Sequence, residues 1–355
     1  MNKTSKMLEE VRQQPAALER TLTAGLGSAR VLRQHFEAHP PTMIAIAARG
    51  TSDNAAEFAR YLIEITTGIP TSLAAPSVVT LYRSRVNLRG VAVVGISQSG
   101  ESTDVNAVLE DARKQGAFTI GITNEPESAM TKIATDVLLV RAGKEKAVAA
   151  TKTYTGQLLT IYLLAHALGG NVEMDELHRL PGYAASALDT EESIEELAKL
   201  YRFMNRSITV GRGLNYANAL ELALKMIETS YVLTGRFSAA DLMHGPIALL
   251  EHSLPAFVFA PPGVTWPSIA TVLERLESVK AETLVITDTR HKKIPSKTAQ
   301  SIQLRWHADV TGRIADLYTP IPYIVPAQLF AGHLAIVKGL DPDHPRTLSK
   351  VTQTI

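Results

Sequence analysis

The sequence predicts an α/β protein made of two tandem, doubly wound parallel sheets that arose by duplication. Three observations carry this. Short apolar runs ending in Gly, Ser or Thr alternate with amphipathic stretches, the pattern of strands crossing over through helices. An Arg-Gly turn recurs at Arg49-Gly50 and Arg212-Gly213. The order strand–turn–helix, then strand–loop–helix–strand, runs twice. A chain of 355 residues suits two domains. They are drawn at residues 1–185, an N-terminal helix plus the first sheet, and 186–355, the second sheet plus a C-terminal tail.

Each element follows from local pattern. Met7 to Leu32 has helical spacing interrupted at Pro15, whose ring removes a backbone donor. Met43 to Ala48 is β-rich and ends at Arg49-Gly50-Thr51-Ser52, before a helix from about Asp53 to Thr66. Val91 to Ile96 is continuously apolar, as suits a parallel strand covered on both faces. It enters Ser97-Gln98-Ser99-Gly100-Glu101-Ser102-Thr103 and a helix to about Gln115. Strands follow at Ala117 to Ile122 and Asp136 to Val140, then a long helix after Thr151. Gly169-Gly170-Asn171 stops that helix, Pro181-Gly182 predicts a break, and Glu191 to Phe203 is helical again. The second half repeats with strands at Ser207 to Val210, Ala256 to Ala260 and Thr283 to Thr287.

Composition narrows the function classes. Apolar residues make up 45% and charged residues 20%, and the net charge of +1 points to no nucleic acid and no membrane surface as partner. The absence of cysteine excludes disulfides, thiolate zinc sites and a cysteine nucleophile, and fits a cytoplasmic setting. Met1 to Glu10 lacks the apolar core of a signal peptide. Leu158 to Leu168, read as the longest apolar run, is too short to span a bilayer and reads as a buried helix.

The hydroxyl-rich segment Ser97 to Thr103 sits between a strand and a helix, where ligands bind parallel α/β sheets. A phosphate there meets unpaired helix-opening amides and the hydroxyls of Ser97, Ser99, Ser102 and Thr103. Gly100 permits close backbone approach. The macrodipole supplies only about 0.3–1 kcal/mol. Without Lys or Arg in the loop, directed hydrogen bonds must hold the ligand, which suits a monophosphate. The plainer reading is N-capping by Ser99 or Ser102, but one hydroxyl would satisfy a cap. The loop does not recur: its second-half counterpart is Pro261-Pro262-Gly263, so one anion site per chain is expected.

These residues closely resemble the Ser-Gln-Ser-Gly-Glu-Thr signature of sugar isomerase (SIS) domains, which are flavodoxin-like. Further stretches resemble the isomerase half of glucosamine-6-phosphate synthase: Val148-Ala149-Ala150-Thr151-Lys152, Ala223 to Tyr231, His244 to Leu249 and the tail Asp341 to Lys350. The resemblance implies that Ser52, Ser97, Gln98, Ser99 and Thr103 contact a phosphorylated sugar, with Val148 backbone and Ala150 facing it. Thr51 and Lys225 are placed in the same binding set. It implies that Glu228 moves a proton between C1 and C2. It also implies that His244, from a neighbouring subunit of a homodimer, assists ring opening, and that Lys350 contacts the open-chain sugar or forms an imine. The family often has Ser where Ala150 stands and a small residue or Cys at Arg49. An acidic residue is common at Gly235-Arg236. Only about forty residues precede the first strand, so no glutaminase domain with a cysteine nucleophile is expected.

Read without the resemblance, the same residues are plainer. Glu221, Lys225 and Glu228 fall at i, i+4 and i+7, beside an apolar stripe of Leu220, Leu224, Ile227 and Tyr231. That spacing predicts a surface ion-pair ladder, each pair contributing about 0.2–0.5 kcal/mol. His244 before Gly245-Pro246 ends a short helix, and Lys350 near the terminus reads as a solvated charge. No metal is expected, the other histidines being read without a His-x-x-x-His spacing. Asp341, Asp343 and His344, alternating with prolines, read as a rigid tail segment. The resulting expectation is a cofactor-free amino sugar phosphate deaminase and isomerase. The alternatives are a fructosamine-phosphate deglycase, for whose carboxylate Arg49 and Arg236 would suit, a simple aldose–ketose isomerase, and a non-catalytic sugar-phosphate sensor.

Overall fold

The computed structural model describes residues 5–250, 254–291, 294, 299–305 and 315–348. In chain order its first half contains α1 (Lys6–Arg12), α2 (Gln14–Ala38), β1 (Met43–Ala48), α3 (Thr51–Thr67), β2 (Thr71–Leu73), α4 (Pro76–Thr80), β3 (Val91–Ile96), α5 (Thr103–Lys114), β4 (Phe118–Thr123), α6 (Ala129–Ile133), β5 (Asp136–Leu139) and α7 (Lys152–Ala167). Then come α8 (Met174–Leu188), α9 (Glu191–Leu200), β6 (Arg206–Gly211), α10 (Tyr216–Ser230), β7 (Leu233–Ser238), α11 (Ala239–Met243), β8 (Ala256–Phe259), α12 (Trp266–Ser278), β9 (Thr283–Asp288), β10 (Gln300–Leu304) and α13 (Pro320–Val337). Among the described residues, one compact unit comprises 16–145, 152–178 and 348; the other comprises 5–15, 146–151 and those of 179–347.

The unit of the first sheet has strand order β2-β1-β3-β4-β5, all parallel. β3 is buried along nearly its whole length, as its unbroken apolar run requires. Val93, Val105, Leu109 and Met130 form one core of this sheet. Each such side chain contributes about 1.5–3 kcal/mol by leaving water. α7 is buried on nearly every side, because its sequence is largely apolar or small with Lys152 its one residue of fixed charge.

The unit of the second sheet repeats the order as β7-β6-β8-β9-β10, again parallel. Both sheets thus have the 2-1-3-4-5 arrangement, with the direction of winding reversing between the first and third strands. The matching orders agree with duplication.

Several local expectations need correction. Pro181 does not break the chain; α8 runs through it from Met174 to Leu188. Proline costs one backbone bond in mid-helix. Here Leu177, Leu180, Ala184 and Ala187 on the same helix are buried, and their packing holds both flanking turns. Pro15, by contrast, lies in the first turn of α2, where a missing N–H costs nothing. The edge strands β2, β7 and β10, the short helices α4 and α6 and the helix α13 have no counterpart in the sequence reading. α13 is the helix among the described residues that is long and apolar enough to cross a membrane, yet it is buried inside the protein as a core helix. Contrary to the expectation of no such spacing, the histidines include one His-x-x-x-His pair, His35 and His39. Their rings stack at 5.0 Å, and His35 lies 3.9 Å from the Phe118 ring. Among the described residues no group of three His, Asp or Glu is placed to hold a metal.

Candidate active site

β1 and β3 lie side by side, with Ala48 opposite Ile96, so the turns after them open at the same edge of the first sheet. This is where the winding reverses, the position at which such sheets take ligands. After β1, Gly50 adopts φ +58° and ψ −130°, a conformation that favours glycine, and starts α3. Ser52 follows, buried, and its hydroxyl accepts a hydrogen bond from Gln157 Nε2 at 2.9 Å.

After β3 the loop is shaped by its own hydroxyls. Ser97 Oγ accepts the Gly100 N–H at 3.1 Å, and Ser99 Oγ accepts the Glu101 N–H at 3.2 Å. A hydroxyl that accepts through a lone pair still has its proton to donate. The same serines can therefore set the loop and present O–H groups to an anion. The Gln98 carbonyl accepts from Asn124 N–H at 3.1 Å and Thr123 Oγ1 at 3.3 Å, fixing that peptide. Ser102 is the N-cap of α5 by position, but its hydroxyl makes no cap bond; it donates to Asp104 Oδ1 at 3.2 Å. The capping explanation for this cluster of hydroxyls is thereby weakened.

The sixth place of the Ser-Gln-Ser-Gly-Glu-Thr signature falls on Ser102 rather than Thr103, which is exposed at the first turn of α5. Ser102 is the residue that counting along the motif would have found. Glu101 of the signature has a structural task, accepting the Ala129 N–H at 2.9 Å. Arg49 is engaged with Asp104, Nε to Oδ2 at 2.7 Å. A cleft of about 470 Å³ borders the loop, lined by Gln98, Ser99, Ser128 and Lys144, with Glu101, Glu125, Glu127 and Glu145 around it. Those carboxylates disfavour a dianion on their side of the cleft. Lys144 is a cation that the loop sequence alone did not reveal.

Gly100 sits at φ +66°, and a Cβ there would fall 2.1 Å from Ser128 Oγ and 2.9 Å from Thr123 Oγ1. Gly100→Ala is expected to weaken binding of glucose 6-phosphate at least about tenfold, since left-handed backbone alone costs roughly 1–2 kcal/mol. Titration calorimetry checks this; unchanged affinity would mean that loop shape does not set the site.

In the other unit, α10 presents a face that sequence spacing assigned wrongly. Ile227 and Tyr231, read as apolar stripe, are 43% and 38% exposed, whereas Glu221, Leu222, Lys225, Met226 and Thr229 are buried. Lys225 and Glu221 are fully enclosed, so the surface-ladder reading is overturned. Lys225 Nζ lies 2.5 Å from Glu228 Oε2 and 3.5 Å from Glu221 Oε1. Glu228 keeps 23% of its side chain exposed. The result is a reachable carboxylate fixed from behind by a buried ammonium. In the first half, Glu64 on α3 accepts the Thr71 N–H at 2.9 Å.

His244 caps the end of α11 and is exposed; its N–H donates to the Asp241 carbonyl at 3.1 Å. Val148 and Ala150 are half-buried in a segment without helix or strand. Arg236 is exposed on β7. The tail is anchored at Arg346, whose N–H donates to Tyr231 Oη at 2.7 Å and whose guanidinium lies 4.6 Å from that ring's centre. Lys350 lies outside the described residues.

Residues 40–167 and 201–338 each match the SIS domain. The chain belongs to the SIS domain family. It is 35% identical over 344 residues to the glutamine–fructose-6-phosphate aminotransferase (isomerizing) of Methanothermobacter thermautotrophicus, covering 97% of this chain and 56% of that one. The SIS chain thus spans a little over half the length of this relative. Its fold matches the C-terminal domain of glucosamine-fructose-6-phosphate aminotransferase from Francisella tularensis with a TM-score of 0.87 and 27% identity, over 97% of this chain and 99% of that one. Glucosamine-6-phosphate deaminase from Thermotoga maritima shares the fold with a TM-score of 0.78 and 24% identity, over 99% and 100% of the two chains.

Proposed function

We propose that this SIS protein is a phosphosugar isomerase that acts on an amino sugar 6-phosphate and releases its nitrogen as ammonia. The observation that carries this reading is the partly exposed Glu228 carboxylate held at 2.5 Å by the enclosed Lys225 ammonium. A proton shuttle between adjacent carbons needs a carboxylate that is reachable and oriented, and these two residues meet both needs. The substrate phosphate is assigned to Ser97, Gln98, Ser99 and Ser102, with Ser52 and Thr51 at the neighbouring turn. Thr103 and the Val148–Ala150 backbone are assigned to the same substrate.

The steps balance without a cofactor. His244 transfers the proton that opens the hemiacetal ring. Glu228 removes the C2 proton of the open aldose and returns it at C1, while the C1 oxygen gains a proton and the C2 amine gives one up, leaving an imine at C2. Water adds to that imine and expels ammonia, giving the ketose phosphate. Lys350 is assigned to the open-chain sugar. The functional unit is a homodimer in which His244 serves the neighbouring subunit. The deglycase alternative loses one support, because Arg49 is committed to Asp104.

Incubation with glucosamine 6-phosphate is expected to yield ammonium and fructose 6-phosphate in equal amounts. A panel of amino sugar phosphates giving neither product would sink the reading. An active monomer on gel filtration would remove the subunit-crossing role of His244.

A further inference from the structure

Glu10 is a carboxylate that the mechanism does not use, although it is only 3% exposed. It lies on the short helix α1, and its two oxygens accept backbone N–H groups from one loop: Oε1 from Lys146 at 2.5 Å and Oε2 from Ala147 at 3.1 Å. Residues 141–151 form no helix or strand, so their amides have no ladder to satisfy them. A buried carboxylate is costly unless hydrogen-bonded, and bonds from N–H groups to a charged oxygen are the stronger kind. Val148 and Ala150 follow directly on this clamp.

The clamp is itself fixed. Asp343 Oδ1 accepts from Ser5 Oγ at 3.1 Å and from Met7 N–H at 2.9 Å, while Oδ2 accepts from Lys6 N–H at 2.8 Å. A carboxylate at that end also suits the helix dipole. Met7, Leu8 and Val11 are buried, and Leu8 lies against Gly332 of α13. α1 is thus a short rigid strut, capped by the tail at one end and holding the loop through Glu10.

We infer that Glu10 is a positioning residue that presents the Val148–Ala150 backbone to the sugar. The inference rests on the functional reading above, which assigns that backbone to the substrate. Loop contacts of this kind hold ground state and transition state alike, so their loss raises KM and spares kcat. Glu10→Gln exchanges one acceptor for a donor that faces an N–H. In the full chain it is expected to raise KM for glucosamine 6-phosphate about tenfold, the size of one charged hydrogen bond, with kcat within about twofold. Amide exchange at Lys146 and Ala147 should quicken. Asp343→Asn, which loosens α1 without touching the loop, should lower Tm but move KM less. Should Glu10→Gln fail to fold, Glu10→Asp, which keeps the charge but withdraws the carboxylate, is expected to give the same split.

A folded variant with wild-type KM and wild-type glucose 6-phosphate affinity overturns the inference, as does a drop in kcat at constant KM. Wild-type protein that neither binds glucose 6-phosphate nor turns over glucosamine 6-phosphate sinks the functional reading first, and this inference with it.

Discussion

Glu228→Gln lowers turnover of glucosamine 6-phosphate about 10²–10⁴-fold, the usual share of a positioned general base, and leaves the fold intact. The side chain keeps its length and shape, and Lys225 retains its enclosed partner Glu221. The loss should fall on kcat, because the amide still fills the same space beside the substrate while lacking a lone pair basic enough to take a proton. Steady-state kinetics beside circular dichroism separate the two effects. Near-native turnover by a folded variant would remove Glu228 from the chemistry.

Lys225→Met should cost roughly 3–5 kcal/mol of stability, the penalty for breaking a buried ion pair by deleting one partner. Glu221 is as enclosed as the lysine, so the surviving carboxylate has no water to turn to. The double variant Lys225→Met with Glu221→Leu should recover most of that loss, because two apolar side chains of similar volume replace both charges. Denaturant midpoints of the three proteins decide the matter. A Lys225→Met protein within about 1 kcal/mol of wild type, the ordinary value of an exposed pair, would restore the surface reading of this helix.

Local pattern explains what was legible in the sequence. β1, β3, β4, β6, β8 and β9 are apolar runs closed by small or hydroxyl residues, so local pattern found them, and the hydroxyl-rich loop came with β3. β7 reads Leu-Thr-Gly-Arg-Phe-Ser and pairs on one side, so its half-exposed composition carries no clear alternation. β2 is three residues long. On α10, a Glu–Lys–Glu row has identical spacing whether it faces water or core, and only packing distinguishes them. Pro181 misled for a related reason: the propensity of one residue was outweighed by the burial of its neighbours. Glu10 gave no signal, since the amides it holds are 136 and 137 positions away.

The bond between Asp343 and Ser5 spans 338 positions and has a consequence for biosynthesis. A ribosome adding about 5–20 residues per second needs roughly 17–70 s to travel that far. Throughout that interval the opening helix has been translated but waits for the carboxylate that completes it. Its early amides lack that partner meanwhile, and this contact can close only when the segment carrying Asp343 emerges.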